Sequence, residues 1–316
     1  MLDSGGGEAI RILFCARSFA WVKGFYRLQP TMRCFLVDNG SLRIDSWCNL
    51  CAVAAAVSEI VGIHVEPASV LHSSRIPAEQ VPEGVPQPIT WERAVKAAMG
   101  AGETTIWTLP FFFGPTGAIV DYLPQREALL RERVGALTVH YAPFLADPLE
   151  NESLGLEDLL VDRVQETIRA RGLTHPPVIL VDHGSPRREV AAVRNRVAAG
   201  LDRRLGDRVF NVQAASKERR EGAAYAFNEP LLESLLCKPP FNRGDVVVAQ
   251  MFLSPGRHAG EGGDIDRICS EAERNQPGLQ TFRTALLGTH PAMPELVAAR
   301  FHALRASVGS GRNPEV

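Results

Sequence analysis

Hydrophobic and polar positions follow two alternating patterns along the chain. Short apolar runs are typical of buried parallel strands, and longer stretches place apolar residues at helical spacing. The apolar runs predict strands near 32–38, 64–70, 104–110, 137–142, 177–182, 208–214, 245–251 and 280–286. The helical spacing predicts helices near 46–61, 90–101, 121–134, 155–171, 189–206, 229–237, 264–275 and 293–306. Such alternation predicts right-handed crossovers and parallel sheets covered on both faces.

Three segments of the first half recur, with related residues, in the second half. The matched pairs are Leu36–Arg43 with Leu180–Arg187, Pro110–Ala118 with Met251–Ala259, and His140–Leu145 with Arg283–Gly288. A repeat of this length indicates a duplicated structural unit. We therefore predict an α/β fold of two tandem flavodoxin-like units, each a four-stranded parallel sheet flanked by helices, related by a pseudo-two-fold axis.

The same patterns divide the chain into segments. The first unit is assigned to 32–150, a linker helix to 151–174 and the second unit to 175–306. Residues 1–31 carry no clear period, so we expect a poorly ordered extension outside the fold, and residues 307–316 are expected to form a flexible tail.

Composition narrows the range of partners. The chain has 34 basic and 36 acidic residues, a net charge of −2, and this balance argues against a nucleic-acid binder. No apolar run approaches the roughly 20 residues that span a bilayer. We expect a cytoplasmic protein, monomeric or homodimeric, with no membrane partner.

The cysteine pattern indicates reduced thiols. The six cysteines are scattered, which does not suit a disulfide framework. Cys48 and Cys51 form a single CxxC inside an alanine- and valine-rich helical pattern. We interpret them as small apolar residues on a helix, with a redox or zinc role as the alternative.

Two histidines follow predicted buried strands of the second half. His183 lies in the turn after Val178–Asp182, and His258 lies in a glycine-rich loop that precedes Asp264, where a helix could be capped. The carboxyl ends of neighbouring parallel strands share one edge of the sheet, where ligands bind, so both rings can reach one cleft. Neutral imidazole is a common ligand for divalent transition metals. The first unit carries Asn39 and Gly117 at the matching turns, which predicts one site, built mostly from the second unit.

These motifs resemble a known family. The HGS turn at 183–185, the GRH loop at 256–258 followed by Asp264-Ile265, and the segment Ala285–Arg300 are similar to the CbiX/SirB-like class II tetrapyrrole chelatases. The resemblance is good over 175–306 and weaker over 32–150. It implies a lyase of sirohaem or cobalamin biosynthesis that inserts cobalt or iron into sirohydrochlorin.

The resemblance also implies roles for residues. His183 and His258 would bind the metal and accept pyrrole protons, with the divalent metal as a substrate and no tightly bound cofactor. Glu218, in the segment after the second strand of the unit, is a candidate third ligand or base, and Glu261 is another. Either glutamate can equally be a solvated loop residue.

A sirohydrochlorin-type substrate carries many carboxylates, which guanidinium groups recognise. The arginines at the expected rim of the cleft are Arg187, Arg188, Arg219, Arg220 and Arg257. Ser185 can offer its hydroxyl and backbone N–H to a carboxylate, or serve only as a helix N-cap. Of the remaining histidines, only His290 follows a strand in a comparable way.

Two other functions are compatible with these residues. A non-catalytic carrier of a tetrapyrrole or a metal would keep the same cleft. A hydrolase that uses Ser185 and His183 is less consistent with the sequence, because the chain has no GxSxG nucleophile elbow.

Overall fold

The computed structural model describes residues 32–147, 149 and 155–310, and these form two four-stranded parallel sheets. The expectations for residues 1–31 and 311–316 lie outside the described residues. The strands are β1 (Met32–Asp38), β2 (Val65–Ser69), β3 (Thr105–Pro110), β4 (Thr138–Tyr141), β5 (Val178–Asp182), β6 (Val212–Ser216), β7 (Gly244–Gln250) and β8 (Leu279–Arg283). The helices are α1 (Ile44–Val61), α2 (Trp91–Gly100), α3 (Leu123–Val134), α4 (Leu156–Arg171), α5 (Arg188–Leu205), α6 (Leu232–Leu235), α7 (Asp264–Asn275) and α8 (Met293–Gly309).

The two sheets have the same topology. Their strand orders are β2-β1-β3-β4 and β6-β5-β7-β8, and every neighbouring pair is parallel. The prediction of two tandem flavodoxin-like units is therefore confirmed. In each sheet the first and third strands are neighbours, which places the loops after β5 and β7 side by side.

Two elements of the second unit differ from their predicted bounds. The predicted strand at 208–214 begins at Val212, because the apolar pair Val209 and Phe210 belongs to the preceding connection, where Phe210 is exposed. The predicted helix at 229–237 is only α6. The residues of the predicted helix that precede α6 are extended, and Leu231 forms a parallel bridge with Ser216.

Backbone hydrogen bonds show which residues of the two units are structurally equivalent. Leu71 N–H donates to the Asn39 carbonyl at 3.2 Å, and Glu218 N–H donates to the His183 carbonyl at 3.3 Å. Asn39 is therefore equivalent to His183, as predicted.

The two other predicted matches are wrong by one residue, because short differences in loop length precede them. Phe111 N–H donates to Val37 and Met251 N–H donates to Val181, so Phe111 is equivalent to Met251. Seven residues after this pair, Ala118 of the first unit corresponds to His258, whereas Gly117 had been predicted. Likewise Ala142 N–H and Thr284 N–H make the matching bonds after β4 and β8, which shifts the third pair by one residue.

The two units exchange their last helices. α4, which follows β4, packs against α5 and β7 of the second unit, whereas α8, which follows β8, packs against α1, β3 and β4 of the first. Two buried arginines fix this exchange: Arg300 of α8 donates to the Leu145 carbonyl at 2.6 Å, and Arg163 of α4 donates to the Leu286 carbonyl at 3.3 Å. α8 also extends through Gly309, so 307–309 are helical.

Among the described residues, α1 is long and apolar enough to cross a membrane by length and composition. The expectation that no segment reaches this length is therefore wrong for α1. Trp47 and Leu50 of α1 are buried in a core that includes residues of α8. The Trp47 indole N–H donates to the Pro86 carbonyl at 2.7 Å. In this fold α1 is a core helix.

The helix exchange predicts that α8 stabilises the first unit. Phe301 is 1% exposed and lies 5.5 Å from Trp107 of β3, measured between ring centroids. We expect Phe301→Ala to lower the free energy of unfolding by about 3–5 kcal/mol through lost burial and a cavity. Arg305→Ala, on the exposed side of the same helix, should change it by less than about 0.5 kcal/mol. Urea denaturation measures both, and equal effects would contradict this packing.

Candidate functional site

The ends of β5 and β7 bring His183 and His258 together. Their ring centroids lie 4.4 Å apart with an interplanar angle of 78°. The turn after β5 depends on Gly184, whose φ is +88° and where a Cβ would lie 1.9 Å from the Glu218 carbonyl oxygen. The backbone after β5 therefore passes against the backbone after β6, which places Glu218 beside His183.

Each ring has hydrogen-bond partners at Nδ1. His183 Nδ1 lies 3.1 Å from the Gly184 carbonyl oxygen, and His258 Nδ1 lies 2.5 Å from Oδ2 of Asp264. A carbonyl only accepts hydrogen bonds, so the neutral ring of His183 carries its proton on Nδ1 and its Nε2 is free to bind a cation or accept a proton. His258 Nδ1 lies between partners of opposite type, because the Lys217 ammonium, a donor, is 3.0 Å away.

Carboxylates accompany the pair on two sides. Glu218 Oε1 lies 3.5 Å from His183 Nε2, so the predicted third residue is brought to the site. Asp264, expected only as a helix cap, is the first residue of α7 and instead orients His258. Carboxylates that fix a ligating imidazole in this way are common beside metal sites.

Lys217 is a site residue that the sequence did not reveal. Its side chain is 4% exposed, and Nζ lies 2.5 Å from Oε2 of Glu218 and 3.2 Å from Oδ2 of Asp264. Nζ also lies 3.0 Å from His258 Nδ1. In the sequence Lys217 opens the charged run KERR, which is typical of a solvated loop. Its position directly after a buried strand was the available signal.

The pKa values of His183, Glu218 and Asp264 are all lowered, for different reasons. Burial lowers the pKa of His183, and the charges of Lys217 and His258 lower it further. Burial alone would raise the pKa of Glu218, but the Lys217 hydrogen bond and the histidine charges outweigh it and the pKa is lowered. The hydrogen bond with His258 is the main cause that lowers the pKa of Asp264. Near neutral pH the site holds ionised carboxylates beside a neutral His183.

A buried network beneath the turn holds it in place. Asp182 Oδ1 accepts hydrogen bonds from Ser216 Oγ at 2.7 Å and from Gly184 N–H at 3.1 Å. Arg194, 1% exposed, lies 3.6 Å from the same oxygen and donates to the carbonyls of Phe227 and Asn228. Because burial of an unpaired guanidinium is costly, this set of partners indicates a fixed support.

Most of the predicted rim arginines contact other protein side chains. Arg187 pairs with Asp121 of the first unit at 2.9 Å, and Arg219 pairs with Glu229 at 2.6 Å. The guanidinium of Arg188 lies 5.0 Å from the ring centroid of Phe227, and that of Arg220 lies over the Tyr225 ring. Arg257 and Glu261 are exposed in the loop that carries His258. Arg257 lies on the same loop as His258, and Arg187 lies in the same turn as His183, between β5 and α5.

The backbone N–H of Ser185 is engaged within the protein, and Ser185 is not the N-cap of α5. Its N–H donates to Asn228 Oδ1 at 3.0 Å, so that N–H is not available to a carboxylate ligand. Its hydroxyl oxygen accepts from Arg187 N–H at 3.1 Å, before α5 begins, and makes no side-chain cap of that helix. The hydrolase alternative finds no support here, because among the described residues the Ser185 hydroxyl is hydrogen-bonded to Arg187 N–H and not to His183.

Cys48, Cys51 and His290 have structural roles. Burial raises the pKa of both thiols, to about 12 for Cys51, so neither is a reactive thiolate. His290 is buried and accepts a hydrogen bond from Ala292 N–H at the start of α8.

The first turns of α1, in the first unit, contact the His258 loop. Arg43 Nη1 donates to the Gly256 carbonyl at 3.3 Å, and Asn49 Nδ2 donates to Ser254 Oγ at 2.9 Å. The two histidines therefore lie on loops that contact the first unit. Across residues 32–147, 149 and 155–310, no group of three or more His, Cys, Asp or Glu side chains is arranged to hold a metal ion.

Comparison with known proteins identifies relatives of this fold. The family model described as CbiX matches residues 177–304. SirB from Bacillus subtilis with Fe³⁺ is 15% identical with a TM-score of 0.63, covering 90% of this chain and 100% of that one. SirB from Bacillus subtilis subspecies spizizenii in complex with cobalt is 15% identical, with a TM-score of 0.62 and the same coverages. CbiX, the terminal enzyme for biosynthesis of sirohaem in denitrifying bacteria, is 18% identical with a TM-score of 0.55, covering 86% and 98%. No curated protein matches the sequence.

The contact at Gly184 generates a stability prediction. A methyl group there collides with the Glu218 carbonyl and adopts a positive φ, so we expect Gly184→Ala to lower the free energy of unfolding by about 3 kcal/mol or more. Gly172→Ala is a matched control, since its φ is also positive, at +63°, but no atom lies within 4 Å of the added carbon. The free energy of unfolding of the control, measured by urea denaturation, should fall by about 1 kcal/mol. Similar decreases in Gly184→Ala and Gly172→Ala would contradict the steric argument.

Proposed function

We propose, from the membership of residues 177–304 in the CbiX family, that this chain is a metal chelatase acting on a sirohydrochlorin-type tetrapyrrole. Its metal substrate would be Co²⁺ or Fe²⁺, the metals that the resemblance to class II chelatases implies. The observation that carries the proposal is the close pair of imidazole rings, His183 and His258, whose centroids lie 4.4 Å apart.

Metal insertion requires two events that such a pair can serve. The cation must lose water, and two pyrrole N–H protons must leave the macrocycle. Neutral imidazole binds a divalent cation and also accepts protons near neutral pH. Glu218, ionised and 3.5 Å from His183 Nε2, stabilises either a bound cation or the imidazolium formed by proton transfer.

The opposite wall of the cleft suits the apolar face of a macrocycle. Leu71 of the first unit occupies the position of Glu218, and Leu42 occupies that of Pro186. Leu42 is 60% exposed and Leu71 36% exposed, and both belong to the few large apolar residues exposed in the described parts of the chain. Arg43, next to Leu42, contacts the His258 loop. We infer that the first unit, without the histidines, supplies a binding wall.

Multiple turnover in vitro tests the proposed function. Protein mixed anaerobically with metal-free sirohydrochlorin and Co²⁺ should convert many equivalents of sirohydrochlorin per equivalent of protein. His183→Ala and His258→Ala should lower the rate by about 10²–10⁴, the usual effect of losing a general base. His64→Ala, an exposed histidine before β2, and Asn39→Ala should stay near the wild-type rate.

Circular dichroism must show that the variants fold. A single stoichiometric spectral change without turnover would support the carrier alternative instead. Wild-type rates in a folded double histidine variant would contradict the proposal.

Protonation of His183 predicts the pH dependence. Only the neutral ring binds metal or accepts a proton, so activity is present above its pKa and is lost as the pH falls through it. Burial lowers that pKa from the ordinary value of 6.5, so the acid limb of kcat/KM should have its midpoint below 6.5. A rate that does not change between pH 4.5 and 8 would remove His183 from the mechanism.

The binding wall is tested by its effect on KM. Leu42→Ser combined with Leu71→Ser should raise KM for sirohydrochlorin about tenfold, since partial burial of two leucines contributes roughly 1–2 kcal/mol. Ile60→Ser and Phe210→Ser, at exposed apolar residues 45% and 59% accessible, are matched controls that should leave KM within twofold. A KM unchanged in the first variant would place the macrocycle elsewhere.

A further inference from the structure

A buried cation lies beside the proposed metal pair. Lys217 Nζ contacts Glu218 Oε2, Asp264 Oδ2 and His258 Nδ1 within 3.2 Å, and its side chain is 4% exposed. An ammonium group repels a divalent cation, and the low dielectric of a buried position strengthens that repulsion. A site built only to retain metal would not be expected to place a lysine here.

The fold does not require a lysine at this position. Val70 is the equivalent residue of the first unit, because Val70 N–H donates to Asp38 and Lys217 N–H donates to Asp182, both at 2.8 Å. Val70 is buried in that turn. The same backbone therefore accepts an apolar side chain where the metal pair is absent.

Lys217 also limits how Glu218 can act. One carboxylate oxygen, Oε2, is bound to the ammonium at 2.5 Å, and only Oε1 is directed toward His183 Nε2. Glu218 can therefore offer a cation one oxygen and not two. The second carboxylate, Asp264, is shared between Lys217 and His258.

We propose that Lys217 is a positioning residue that holds Glu218 and weakens the resting affinity of the histidine pair for divalent metal, so that the cation passes to the macrocycle. This inference rests on the proposed chelatase function. It assigns the lysine to release of the metal substrate, since a chelatase that binds its cation too tightly retains it.

Lys217→Val, which copies Val70, tests this by the sign of the effect on metal binding. Isothermal titration with Co²⁺ alone should give a Kd at least tenfold lower than in the wild type, because a repelling charge is gone and Glu218 is released. Lys217→Arg retains the charge and should stay within about threefold of the wild-type Kd. Lys96→Val, which removes an exposed lysine of α2, controls for net charge and should leave the Kd within twofold.

Turnover gives the second measurement. In Lys217→Val, kcat for insertion should fall at least tenfold while KM for sirohydrochlorin changes less than threefold. A merely structural lysine would weaken Co²⁺ binding when removed, so an unchanged or higher Kd in folded Lys217→Val overturns the inference. The Kd measurement needs no tetrapyrrole, so tighter Co²⁺ binding in a protein without turnover would support the effect of Lys217 on affinity and reject the chelatase function separately.

Discussion

The site depends on one close approach of the backbone. Gly184 lets the chain after β5 pass within contact of the carbonyl of Glu218 after β6, and any side chain at that position would collide with it. The buried Asp182, Ser216 and Arg194 hold the two strand ends in this arrangement. His183 and Glu218 are adjacent because of this constraint, and the neighbouring strand β7 then brings His258 to the same edge.

The duplication shows that backbone geometry and chemistry are separable. Gly40 repeats the turn of Gly184, with φ of +87° and a Cβ position 1.7 Å from the Leu71 carbonyl oxygen. Yet this turn carries Asn39 in place of a histidine and is followed by Leu71 in place of a glutamate. The same local fold therefore carries histidine and glutamate in one unit and asparagine and leucine in the other. The exchanged helices α4 and α8 hold the two units together.

Much of the fold could be predicted from the sequence because it is recorded locally. Buried parallel strands read as apolar runs, and the repeated turn identified His183 and its counterpart Asn39. The pairing of helices with sheets could not be predicted, since the pattern of α8 shows an apolar face but not which sheet covers it. Lys217 was missed as a site residue for a related reason: its contacts are with residues 41 and 47 positions away. Asp264, only six positions from His258, was expected only as a helix cap. The sequence also could not show that most of the rim arginines already have protein partners. Arg187 pairs with Asp121 and Arg219 with Glu229, and these contacts depend on the folded structure.

The central claim is that His183 and His258 together hold the metal substrate through their Nε2 atoms. Anomalous diffraction at the cobalt edge, from crystals of the full chain soaked with Co²⁺, tests it most directly. We expect one principal peak between the two rings, about 2.1 Å from both Nε2 atoms, as is usual for imidazole ligands. A principal cobalt peak bound by neither ring, or by only one of them, would contradict it.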